Sequence, residues 1–76
     1  MNVTADDILK NIPDHILKKP ITNTKDYFDK EYYLQRSTRN MMYEATFMNM
    51  TREELIETIR SIHNTYEEAR AQLIKI

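Results

Sequence analysis

Tyr32, Arg36, Arg39 and Tyr43 follow one another at steps of four, three and four residues. At 3.6 residues per turn, such steps stack side chains on one face of a helix. An arginine brings a planar fork of donors and a fixed charge, and a tyrosine brings a large ring with a polar tip. These residue types anchor protein interfaces, and basic and aromatic side chains in alternation also hold single-stranded nucleic acid. Phe28 and Phe47 extend the face by about one turn at each end, with Lys25 beside them. Phe28, Tyr32, Arg36, Arg39, Tyr43 and Phe47 therefore form the candidate partner-binding site. In a quieter reading, the arginines pair internally with Asp6, Asp7 or Asp14 while the rings complete a small core.

Other reactive types are present without a context for reaction. His15 and His63 lie far apart, and His63 stands four residues before Glu67 without a second histidine or a Glu-x-x-His motif. A solvated His63 beside a packing seam is the better reading, and no metal or cofactor is expected. Glu53, Glu54 and Glu57 sit where a helix should start and suit its positive end. Glu67 and Glu68 fall toward an exposed side, with Arg70 as a neighbour of Glu67. Acid–base work needs a pocket that shifts carboxylate pKa values, and a narrow helical hairpin offers little concavity. Ser37 and Ser61 have no activating partner in the pattern. Catalysis is not expected.

Composition narrows the classes further. The 76 residues allow one domain, 1–76, of modest core. There is no cysteine, hence no disulfide or thiolate site. The acidic opening MNVTADDILK is unlike a signal peptide, and no apolar run approaches a membrane span, so a cytoplasmic location is expected. Eleven basic against twelve acidic residues give a net charge of −1, which disfavours nucleic acid as the partner. Glycine is absent, which removes the usual material of positive-φ turns, phosphate-cradling loops and hairpins. An all-α chain with short connections fits this best.

Three helix starts can be read. "VTADDI" places Thr4 as N-cap with Asp7 answering it and Val3 stapled against Ile8. "MTREEL" repeats the device with Thr51, Glu54, and Met50 against Leu55, and "NTKDYF" offers Asn23 or Thr24 as a cap. Lys18-Lys19 before Pro20 is a stop. The expected helices are a short one over about 5–18, bent or interrupted near Pro13, and two long ones over about 25–49 and 52–75. Their near-equal lengths and minimal linker predict an antiparallel hairpin, with one long kinked helix as the alternative.

In the last helix Leu55, Ile59, Ile62, Tyr66, Ala69, Leu73 and Ile76 recur at steps of 4, 3, 4, 3, 4 and 3. That mean of 3.5 residues keeps a seam against a neighbouring helix. The "MTREEL" start resembles the second helix of the small phycobilisome-degradation adaptors, which are dimeric two-helix proteins. "EYYL" (Glu31 to Leu34) stands farther upstream than its counterpart there.

The middle helix carries Tyr27, Leu34, Met41, Ala45 and Met48 on one side and the aromatic–arginine face on the other. A helix apolar on both sides must be covered on both. The first helix, with Ile8, Leu9, Ile12, Ile16 and Leu17, is a candidate cover for part of the aromatic face. The remainder is left for a partner, and a dimeric helical bundle is the expected completion. The reading is thus a small non-enzymatic adaptor, inhibitor or regulatory subunit that docks helical surfaces on a larger protein. Its size suits a phage or bacterial accessory protein. A nucleic-acid-binding regulator and a purely structural oligomerisation subunit are the alternatives.

Overall fold

The computed structural model describes residues 3–74, and these residues are helical or in short connections, with no strand. Helix α1 spans Ala5–Leu9, α2 Asp14–Leu17, α3 Thr24–Phe47 and α4 Arg52–Leu73. The α3 and α4 helices pack on each other as a hairpin, and the molecule measures 44 × 18 × 16 Å. Arg70, near the end of α4, reaches Glu31 and Tyr27, near the start of α3, so the two run antiparallel. Lys75 and Ile76, expected at the end of the last helix, lie outside the described residues.

The caps explain where the helices begin. Thr4 Oγ1 accepts from the Asp7 amide at 3.4 Å, and the Asp7 carboxylate accepts from the Thr4 amide at 2.9 Å. Thr51 and Glu54 make the same reciprocal pair at 3.2 Å each. Asn23, not Thr24, caps α3, taking the Asp26 amide at 2.9 Å. These bonds hold the Asp7 and Glu54 carboxyls below their usual range, with the Thr4 amide the largest cause at Asp7 and the Thr51 hydroxyl at Glu54. No described residue has a positive φ, so the turn from Met48 to Thr51 is made without glycine.

The expected first helix is two helices. Proline lacks an amide and pushes the residue before it out of the helical region. Here α1 ends at Leu9, and Pro13 stands as the N-cap of α2 with ψ 142°. This broken segment does not cover the aromatic face. It lies in the groove between α3 and α4, where Ile8, Ile12 and Ile16 join Leu34, Ala69, Leu73 and Ile74 in one buried cluster.

Polar side chains explain that placement. Thr65 Oγ1 donates to the Val3 carbonyl at 2.9 Å, and Ser37 Oγ donates to the Ile8 carbonyl at 2.7 Å. The buried Lys30 ammonium donates to the carbonyls of Ile16 and Leu17 at 2.8 and 3.0 Å. The carbonyls at the C-terminal ends of α1 and α2 are those a helix leaves without partners, and here α3 supplies the donors. Burial pushes the Lys30 pKa down, against the attraction of Asp26.

The buried stripe of α4 is rotated from the expected seam. Thr58, Ile62, Thr65, Ala69 and Leu73 are buried, while Leu55 and Tyr66 are half-buried and Ile59, expected in the seam, is exposed. The stripe turns toward the flank on which the N-terminal segment lies. Thr58 and Thr65 tolerate burial because each hydroxyl has the carbonyl four residues back within donating distance, at 2.8 and 2.6 Å, Thr65 sharing its one proton between that carbonyl and Val3.

Candidate functional site

On α3 the side facing α4 and the N-terminal segment is closed. Leu34 and Ala45 are buried, and Tyr27 and Met41 half-buried, though Met48, expected with them, is 47 % exposed. The opposite side is open along its length. Phe28 is 61 % exposed, Tyr32 59 %, Tyr43 58 % and Phe47 87 %, and Arg36 and Arg39 between them are exposed too. On helical spacing the six fall within an arc of about 100° and along about 28 Å of helix. The structure brings all six sequence-derived site residues onto one uncovered surface.

Internal pairing of the arginines fails. Asp7 is taken by Lys10 at 3.3 Å and Asp14 by Lys18 at 4.0 Å. Among the described residues, neither Arg36 nor Arg39 makes an ion pair. Arg70 is engaged, but not with the expected Glu67. It donates to Glu31 at 2.7 Å and to the Tyr27 hydroxyl at 2.8 Å, and Tyr27 in turn donates to Glu31 at 3.2 Å. The Glu31 carboxylate beside it raises the Arg70 pKa.

Two rings of the face are propped from below. Phe28 stands edge-on to half-buried Tyr27 with centroids 5.7 Å apart, and Tyr32 edge-on to half-buried Tyr33 at 5.3 Å. Rings held in this way lose less freedom when a partner lands on them. Arg36 lines two shallow hollows. One, of about 390 Å³, is shared with Asn11, Pro13, Tyr33, Asn40 and Glu44, and the other, of about 310 Å³, with Tyr32, Gln35, Arg39 and Asn40.

Sequence reasoning missed Asn11 and Pro13 at this rim, because the path of the N-terminal segment brings them there. It also missed the palindrome of the face. Read in either direction, the residues run Phe, Tyr, Arg, Arg, Tyr, Phe at steps of 4, 4, 3, 4 and 4.

Asp26 is buried and accepts from Lys19 at 2.8 Å, and from the Thr22 hydroxyl and amide at 2.7 and 3.1 Å. Lys19 first, and Thr22 after it, hold this carboxyl far below the usual carboxylate range. His15 and His63 are exposed, and among the described residues no three histidines or carboxylates gather as metal ligands. No described helix is long and apolar enough to cross a membrane. No protein-family model, no curated protein and no solved structure matches this chain.

Proposed function

We propose that this chain is a small non-enzymatic adaptor or regulatory subunit of the cytoplasm, and that it docks a larger protein on the outer face of α3. One observation carries this reading: Phe28, Tyr32, Arg36, Arg39, Tyr43 and Phe47 form one exposed surface, and among the described residues its arginines make no ion pair. Exposed aromatic rings around unpaired guanidinium groups are the composition of interface anchors. The partner should bring carboxylates for the two arginines and apolar side chains for the rings on either side. Because the face is palindromic, a helix carrying such a pattern meets the same chemistry in either direction. Binding rather than catalysis is supported by the shifted groups: Asp7 and Glu54 serve caps, Lys19, Asp26, Lys30 and Arg70 serve tethers, and Tyr66 is raised chiefly by burial.

The double substitution Arg36→Ala, Arg39→Ala tests it. The proteins retained from lysate by the wild type and by the variant should be compared alongside their thermal melts. A docking face loses its partner at a cost of about 2 kcal/mol or more, while surface substitutions leave stability within about 0.5 kcal/mol. A retained partner with a lowered melt would make the arginines structural. Salt-dependent retention of a labelled single-stranded oligonucleotide, lost in the variant, would move the reading to nucleic acid.

A further inference from the structure

The N-terminal segment covers one side of the hairpin, and among the described residues the other side has no third layer. There Thr38 and Met42 of α3 and His63 and Tyr66 of α4 line an open trough of about 310 Å³, with Arg39 at its edge. By helical spacing Ile59 and Ile56, which are 37 % and 46 % exposed, follow His63 along α4 toward the turn. A compact monomer of 9.2 kDa exposes about 4,900 Å² by the scaling of surface with mass, and this chain exposes 5651 Å². The excess, roughly 700 Å², is close to the ~800 Å² that one partner contributes to a standard interface.

We propose that a second copy of this chain covers this side, with the two α4 helices antiparallel about a two-fold axis near Ile59. A two-fold interface requires that whatever residue i meets also meets i from the other copy. The α4 stripe satisfies that condition. Arg52, Ile56, Ile59, His63 and Glu67 fall within an arc of about 80°. Arg52 and Glu67 are equally far from the point between Ile59 and Arg60, and so are Ile56 and His63.

Antiparallel pairing about that point sets each Arg52 opposite the other copy's Glu67 and each Ile56 opposite the other copy's His63. The two Ile59 side chains flank the axis, each level with the other copy's Arg60. Neither Arg52 nor Glu67 has an ion-pair partner among the described residues of its own chain. The outer face of α3 meets the same condition through its palindrome but fails on charge. Antiparallel self-pairing there would gather four guanidinium groups about the axis with no carboxylate among the six side chains of the face. One surface is thus suited to a copy, and the other to an acidic foreign partner.

The test uses the full chain in sedimentation velocity across the micromolar range, with circular dichroism to follow helicity. The wild type should sediment as a dimer. Ile56→Lys with Ile59→Lys should weaken dimerisation by about a hundredfold or more, roughly tenfold for each substituted position, without loss of helix.

Arg52→Glu alone and Glu67→Arg alone should each weaken it, and the two together should restore it, because the exchanged charges face one another again. Should the lysine variant lose helicity, the charge exchange and a single Ile59→Cys still decide. A short bismaleimide should link Ile59→Cys chains in pairs and leave Asn64→Cys chains unlinked. A wild-type monomer throughout the range, failure of the exchange to restore the dimer, or a dimer lost only on Arg36→Glu with Arg39→Glu would each overturn the proposal.

Discussion

Where the N-terminal segment lies, the hairpin is three layers deep: Leu34 and Ala69 are fully buried and Lys30, Ser37 and Thr65 tie the third layer down. Toward the turn it is two helices side by side, with Phe47 87 %, Met48 47 % and Ile56 46 % exposed. Two helices touch along a line, so each buries only a strip, whereas a third element fills the groove between them and lets a residue be surrounded. Folding stability therefore concentrates at the covered end, and the turn end is left rich in apolar surface that a partner can use.

The largest effect should come from emptying the covered end. Leu34→Ala removes a side chain with no exposed surface and should cost about 2–5 kcal/mol, read as a lowered melting temperature and denaturant midpoint. A loss within about 0.5 kcal/mol would mean that the third layer is not where the stability resides.

A smaller effect is expected at the connection that brings the segment onto α3. The Asp26 carboxyl is held down by Lys19 and Thr22, so its folded pKa lies below the unfolded value of about 3.9. The unfolded chain then binds more protons below that value. The stabilising contribution is present above pH ~3.9 and is lost as pH falls through the folded pKa. Asp26→Asn should flatten this part of the acid limb in a pH series of thermal melts, and an unchanged limb would remove Asp26 from the account.

The smallest effect belongs to the turn end. Phe47→Ala should leave the melt within about 0.5 kcal/mol of the wild type, since its ring is almost wholly exposed. A marked loss of stability would show that Phe47 is covered in solution, and the contrast between the two ends would narrow accordingly.

Much of this was legible because it is local. Thr4 with Asp7 and Thr51 with Glu54 stand three residues apart, and a capping box needs nothing beyond its own turn. The outer face of α3 was legible for the same reason, since helical periodicity alone gathers Phe28 through Phe47. The stripe of α4 was half legible. Its period was visible in Ile62, Ala69 and Leu73, but a search for apolar residues chose Ile59 and Tyr66 over Thr58 and Thr65. A buried threonine looks polar in a sequence until its hydroxyl is seen to donate to a backbone carbonyl.

By itself, the order of residues determined the all-helical class, the helix starts, the break at Pro13 and the composition of the α3 face, because each depends on neighbours within a turn or two. The tertiary structure decided which groove the N-terminal segment enters, that Lys30 and Asp26 are buried beneath it, and that Arg70 chooses Glu31 over Glu67. Those choices depend on groups far apart in the chain, such as Ser37 and the Ile8 carbonyl, 2.7 Å apart in space. No local rule ranks such pairings, because the worth of each depends on whether packing has already removed water from both ends.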